Sequence, residues 1–241
     1  MKILDALLAS LPTDAPVQQS VVGTRWTAVV SRTCGLASRL PSACSKVAPI
    51  QPEEKGWEGH SARKLAGLVH SADLGQASLG LAALNSLLPV DADGGTEANA
   101  SEVLAEVGRD RKVAVVGHFP FTLQLQKIAR RVWVLELRPG LDDLPADRAA
   151  EVLPQAEVVA FSATTLINHT LEDLGAQCRP DSFKMMLGPS TPLSPVLFDY
   201  GFQALAGAVV MDVEEALQAI RSGESFRQVK RACRLITLRR G

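Results

Sequence analysis

The chain has 241 residues, enough for one large domain or two small ones that bury a core without disulfide or metal staples. Lys and Arg total 25 against 26 for Asp and Glu, a formal net charge of −1, so there is no cationic excess to hold a phosphate backbone and no nucleic-acid partner is expected. No run approaches the roughly 20 apolar residues of a spanning helix, so no membrane partner is expected either, and the default compartment is the cytoplasm.

The first residues, MKILDALLASLPTDAP, read as an amphipathic helix ending near Pro12, because Asp5 interrupts the apolar run that a signal peptide would need. Next, VQQSVVGTRWTAVVSRTCGLAS alternates apolar and polar residues and places Gly23 and Arg25 at a turn, which predicts antiparallel strands. Helical spacing follows over Ser61–Ser71 and Gly75–Leu88, where LGQASLGLAALNSLL is dense in the Ala, Gly and Ser that let backbones approach closely. Strands followed by helices predict a small α+β unit. The polar stretch PVDADGGTEAN lacks periodicity and reads as the connection between a domain at 1–98 and a second at 99–241. Asn99, with Glu102 three residues on, has the form of a capping box opening a helix to about Val107.

From Lys112 the pattern changes to apolar runs, KVAVVG, VWVLEL, VVAFSA, FKMMLG and LAGAVVMD, such as strands covered on both faces of a parallel sheet produce. Between them, TLQLQKIARR, DRAAEVLP, TLINHTLEDLGAQC and SPVLFDYGFQAL are each long enough for a crossover helix, and VEEALQAIRSG and SFRQVKRACRL close the chain. The fold class expected is α/β, a Rossmann-like doubly wound parallel sheet preceded by the smaller α+β domain. Cys34, Cys44, Cys178 and Cys233 are widely spaced with no CxxC pair, which argues against a zinc ribbon or dithiol centre and for buried free thiols.

In a doubly wound sheet ligands sit outside the carboxyl ends of the strands, so the residues after each apolar run carry the functional information. Gly117 permits a tight turn and His118 follows it, but Phe119 and Thr122 stand where a dinucleotide fingerprint needs glycines. Glu136 ends the second run and reads either as a ribose-binding carboxylate or as a solvated strand end. After the third run, Ser162, Thr164 and Thr165 lead into a helix bearing Asn168 and His169, with His169 expected one turn beyond Thr165 on the same side. The segment GPSTPLSP, Gly188 to Pro195, is held by three prolines, and its Ser190, Thr191 and Ser194 read either as anion donors or as a helix cap. His118, His169 and Glu136 are candidate acid–base groups and candidate metal ligands, with His60 a further imidazole; His70 reads as structural. GxSxG and HExxH are absent from the sequence.

Taken together, VAVVGHFPF, FSATTLINHTLEDL, MLGPSTPLSPVLFDYG and LAGAVVMD resemble the Rossmann-like heavy-metal chelation family, long catalogued only as a domain of unknown function. The segments SLGLAALNSLL and WTAVVSRTCGLAS resemble its usual companion, which has the fold of an enolase N-terminal domain. The resemblance covers nearly the whole chain. It implies a cleft between the two domains for a small molecule, and a metal ion or metal chelate as the bound group. By matching motif it carries over His118, Glu136, Thr164, Thr165, Asn168, His169, Ser190 and Thr191, to which the strand-end reading adds Gly117 and Gly188.

Two classes of function stand at this stage. One is a handling protein for a small-molecule or metal-chelate ligand, whose anionic groups the strand-end loops hold. The other is an enzyme of chelator or cofactor biosynthesis using a nucleotide-like cofactor, with His118 or His169 as general acid or base beside Glu136. The N-terminal domain is expected to close over the strand ends with Arg25, Trp26 and Arg32 reaching across, and a homo-oligomer is compatible with either class.

Overall fold

The computed structural model describes residues 1–40, 56–89 and 100–241. The expected interdomain connection, the Asn99 cap and Cys44 lie outside the described residues. Helix α1 (Lys2–Ala9) is amphipathic and buries Ile3, Leu4 and Leu7. Strands β1 (Gln19–Val22), β2 (Trp26–Val30) and β3 (Cys34–Ser38) form an antiparallel meander, its first turn closed by the Gly23 N–H on the Trp26 carbonyl at 2.8 Å. Helix α2 (Ala62–Ala66) is capped by Ser61, which accepts the Lys64 N–H, and runs on into a 3-10 turn at Gly67–His70. Helix α3 (Leu74–Leu87) is capped by Asp73 and buries every residue from Ala77 to Leu84, so it is a core helix with no solvent face of any width.

The small residues of this unit are there because backbones meet. A methyl group at Gly35 of β3 would sit 2.1 Å from the Ala82 carbonyl oxygen of α3, and one at Gly80 would sit 2.3 Å from the Val69 nitrogen. Sheet, helix and 3-10 turn therefore stack at a separation that any side chain at these positions would forbid.

The second sheet has seven strands: β4 (Lys112–Val116), β5 (Arg131–Glu136), β6 (Leu144–Pro145), β7 (Val158–Ser162), β8 (Phe183–Leu187), β9 (Ala204–Val210) and β10 (Cys233–Arg239). Their order is β10-β9-β8-β7-β4-β5-β6, all parallel except β10, which runs antiparallel to β9. From β4 the chain builds outward through β5 and β6, then returns to the other side of β4 for β7, β8 and β9. The switch point falls between β4 and β7. Val113, Val115, Val158, Ala160, Met185 and Leu187 face one core, while Ala114, Val116, Val159, Phe161 and Met186 face another, so the period of two is kept with both faces apolar.

Helices α4 (Ala100–Gly108) and α5 (Thr122–Leu125) cover the first of these faces. The opposite face carries α6 (Ala149–Val152), α7 (Thr164–Ile167), α8 (Leu171–Ala176) and α9 (Val196–Asp199), and its core runs without a break into that of α1, α2 and α3. Helix α10 (Val213–Arg221) places Leu217 and Ile220 against Val21, Ala28 and Leu36 of the antiparallel sheet, and α11 (Phe226–Val229) adds Val229. The small sheet is thus covered by α3 on one face and by C-terminal helices on the other. Among the described residues no helix is long and apolar enough to cross a membrane.

Three features depart from the sequence expectations. The segment TLQLQKIARR yields only the four-residue α5 before turns take over. The single helix expected through His169 is two helices, because α7 closes with His169 at φ 61° and the Thr170 N–H on the Thr165 carbonyl, a Schellman-type ending. The chain's last segment supplies β10 beyond the five strands anticipated, paired along its whole length with β9.

The close packing of β3 on α3 makes Gly35→Ala costly. The substitution is expected to lower unfolding free energy by about 2–3 kcal/mol, whereas Gly175→Ala, with open space around its Cβ in α8, should raise it by about 0.5–1 kcal/mol. Urea unfolding of both variants checks this, and an unchanged midpoint for Gly35→Ala would contradict the packing.

Candidate functional site

The parallel strands end in backbone turns that bring their loops together. Gly117, directly after β4, has φ 103° and donates its N–H to the Leu135 carbonyl at 2.8 Å. A side chain there is excluded on two counts, the backbone angle and a Cβ position 2.9 Å from that of Ser162 at the end of β7. Gly188, after β8, has φ 114° and donates to the Ala206 carbonyl. These ends form the floor of a cleft of about 720 Å³, whose upper wall includes Trp26 and Ser38 of the antiparallel sheet.

Of the candidates read from the sequence, Gly117, His118, Glu136, Thr164, Asn168, Gly188 and Ser190 line this cleft. His118 is held by Asp143, with Nδ1 3.1 Å from a carboxylate oxygen. A carboxylate only accepts, so Nδ1 carries the proton, and Nε2 on the far edge of the ring has no hydrogen-bond partner among the described residues. The imidazole is 60% exposed while Asp143 is 7% exposed, so a buried carboxylate orients an open ring. The Asp143 carboxylate is itself positioned by the Gly140 N–H at 3.0 Å. Glu136 is spent on the backbone: one oxygen accepts the His118 N–H at 3.0 Å, the other the Leu137 N–H at 2.8 Å. Ser162 and Thr164 share a hydroxyl–hydroxyl bond of 2.8 Å, and Asn168 binds the Thr170 N–H and hydroxyl through Oδ1.

Three candidates lie elsewhere. His169, carried off the expected helix side by the ending of α7, binds the Val69 carbonyl through Nε2 at 2.7 Å beside Ile3 and Leu4. It therefore does not join His118 and Glu136, and the three-ligand metal site and the acid–base role expected for it are not formed. Thr165 is buried and donates to the Ser162 carbonyl. Thr191 is buried, faces a smaller cavity beside Cys34 and Asn85, and its hydroxyl has no partner among the described residues.

Ser190 lines the cleft, yet its hydroxyl accepts the Ser38 N–H at 2.7 Å and donates to the Ser38 hydroxyl at 3.0 Å. Ser194 is buried as well. The GPSTPLSP loop thus turns its hydroxyls to the antiparallel sheet and into the core, a correction to its reading as an anion cradle, and the helix that follows it, α9, is a single turn. Arg32 donates to the Thr13 carbonyl, and neither it nor Arg25 lines the cleft; Trp26 does. His60 packs edge-on against Trp57 and His70 pairs with Asp5, both outside the lining.

Other residues of the cleft escaped the sequence reading. Phe119 stacks on Phe121 at 5.3 Å, and Trp26 meets Phe226 at 5.3 Å. Arg227 and Lys230, just before β10, are exposed at the cleft with no carboxylate partner among the described residues. The only signal for them was the basic pattern of SFRQVKR, which has no meaning until β10 places it beside the ends of β8 and β9.

Among the described residues no three His, Cys, Asp or Glu side chains come together as a metal site. The thiols do not supply one. Burial pushes Cys34 from 9.0 up to about 12, with Cys233 nearby adding to it. Burial pushes Cys233 to about 12 and Cys178 to about 11. None of the three lines the cleft, and none offers a thiolate near neutral pH. A bare soft ion does not fit this donor set.

Fold and cleft define a class: an α/β protein with a Rossmann-like sheet whose strand ends are roofed by a small antiparallel sheet. The chain belongs to the family described as "Putative heavy-metal chelation", whose two models match residues 99–239 and 4–88. It is 26% identical over 202 residues to an uncharacterized protein of Methanocaldococcus jannaschii, a match covering 76% of this chain and 77% of the relative. The crystal structure of a protein with unknown function from Desulfitobacterium hafniense matches with a TM-score of 0.85 at 28% identity, covering 99% of this chain and 97% of that one. A second, from Pyrococcus horikoshii, shares the fold at 20% identity with a TM-score of 0.78, covering 99% and 98% of the two chains.

Two outcomes follow from this geometry. Ser190→Ala leaves the Ser38 N–H without its acceptor and is expected to cost about 1–3 kcal/mol in denaturant unfolding; no loss would show that the contact does not hold the sheets together. The folded thiols keep their protons where unfolded thiols lose them, so their contribution to stability is complete below about pH 9 and is lost as pH rises towards 12. Site-resolved alkylation at pH 8 should leave Cys34, Cys178 and Cys233 largely unmodified in the folded chain and label all of them in denaturant, and rapid labelling of the folded form would refute this.

Proposed function

We propose that the cleft binds a small organic anion with a flat apolar body, of the kind that chelates a metal or arrives already bound to one. The observation that carries this reading is the pairing of aromatic walls with the cations Arg227 and Lys230, which have no carboxylate partner among the described residues, at the β10 side of the cleft. A cavity of about 720 Å³ suits a ligand of some tens of atoms, and apolar walls with few placed polar groups are the usual design of such sites. Cations without a protein counter-charge favour carboxylate or phosphate groups on the ligand. The family description concerns heavy metals, and among the described residues the cleft offers no three side chains that could hold a bare ion, so the metal is best accommodated with its organic ligands in place.

A nucleotide-like cofactor at the switch point has less support. Both oxygens of Glu136 are occupied by backbone N–H groups rather than offered to a ribose, and the turn after β4 leads to the one-turn α5 instead of a long helix facing a pyrophosphate.

Pyridine-2,6-dicarboxylate, a flat dianionic chelator, is a suitable probe, read by calorimetry and by the fluorescence of Trp26 in the cleft wall. Binding is expected, with Arg227→Ala and Lys230→Ala each weakening it about tenfold, or about 1.4 kcal/mol. Free nickel, cobalt or zinc should bind weakly. Tight binding of a free ion, indifferent to both substitutions, would overturn the reading.

A further inference from the structure

Among the described residues the cleft is lined by one imidazole, His118, and its two ring nitrogens are in different situations. Glu136 is consumed by backbone N–H groups, and Ser162 and Thr164 bond each other. Asn168 is turned to Thr170, and Ser190 to Ser38. His118 alone is fixed through one ring nitrogen and left open at the other. Its Nδ1–H is held by the 7%-exposed Asp143, which is held in turn by the Gly140 N–H. With the proton on Nδ1 directed at the carboxylate, the ring presents its other nitrogen, Nε2, to the cleft, and the carboxylate behind it fixes the ring's orientation.

An imidazole backed in this way by a carboxylate is how proteins commonly set a metal-binding histidine. Here no second and third protein ligand accompany it among the described residues, so His118 cannot hold a bare ion by itself. One nitrogen suffices for a metal whose other positions are filled by an organic chelator. The surroundings suit that cargo, with aromatic surface at Phe119 and Phe121 next to His118 and the cations Arg227 and Lys230 at the β10 side of the same cleft.

We infer that the ligand is a carboxylate chelate of a borderline divalent metal with an open coordination position, which His118 fills through Nε2 while Asp143 acts as its positioning residue. This rests on the proposed function and narrows it: the cleft distinguishes a coordinatively open chelate from the free chelator. The bond formed is a dative one from nitrogen to metal that displaces a water ligand, so no redox partner or proton acceptor is required. Borderline ions such as copper(II) and nickel(II) accept imidazole well, whereas magnesium and calcium prefer oxygen, so the selectivity of the site belongs to the former group.

The test compares pyridine-2,6-dicarboxylate alone with its one-to-one copper(II) complex, which keeps an open position. The complex is expected to bind at least tenfold more tightly than the free dianion, and its electron paramagnetic resonance spectrum should show coupling to one added imidazole nitrogen. His118→Ala should remove that coupling and bring the affinity for the complex down to the variant's own affinity for the free dianion. Asp143→Asn should retain the coupling while weakening the complex about tenfold, within the range seen when a ligand's carboxylate partner is lost. His60→Ala and His70→Ala should behave as the parent chain. If the dianion binds but the complex binds no better, or the nitrogen coupling survives His118→Ala, the inference fails while the proposed function stands. If neither probe binds, the proposed function fails and the inference with it.

Discussion

A short polar seam between the two sheets gives the molecule its cleft. The Asn85 amide donates to the carbonyls of Leu36 and Ser190, at 2.9 and 3.0 Å, while the Ser190 hydroxyl takes the Ser38 N–H. One side chain from the core helix and one from the loop after β8 thereby fix the end of β3 above the strand ends. These groups are buried or half-buried, where an unpaired donor is expensive, so the seam specifies position as well as adding stability. Gly35 and Gly80 let α3 approach closely enough for Asn85 to reach, and the proline-rich loop holds Ser190 where Asn85 and Ser38 meet it.

The cleft that results is chemically uneven. Its acidic groups, Glu136 and the adjacent Asp143, are engaged in holding the turn after β4 and the ring of His118. Its cations Arg227 and Lys230 have no such engagement among the described residues. A chain with a net charge of −1 can therefore present a locally cationic surface to a ligand, because what matters in a cleft is which charges lack an internal partner. The same accounting applies to metals: the protein has histidines, cysteines and carboxylates, but burial protonates the described thiols and the fold disperses the imidazoles.

Much of the architecture could be read from local pattern. Five parallel strands announced themselves as apolar runs because both faces of the sheet are covered; the antiparallel meander was legible from its Val and Thr content and the Gly23 turn, although its strands, also covered on both faces, are buried or half-buried along their whole length instead of alternating. Gly117 and Gly188 stood out at the strand ends, and both have the positive φ that only glycine adopts cheaply. Strand β10 was harder to see, since CRLITLR mixes basic and apolar residues without a clean period and gains its meaning from the seven-residue pairing with β9.

Side-chain direction at the cleft was not written in any local pattern. His169 and His118 both follow strand ends in the sequence, but a left-handed residue closing α7 sends one to Val69 and a buried carboxylate 25 residues away holds the other in the open. Ser190 looked like a donor to a ligand until Ser38, 152 residues earlier, took it. Arg227 and Lys230 had no visible purpose until an antiparallel edge strand brought their segment to the same mouth as Gly117. Periodicity settled the elements and their faces, since burial of a face repeats along the chain; the partners of individual polar groups came from long-range packing, since a hydrogen bond or an ion pair depends on distance in space and leaves no repeat in the sequence.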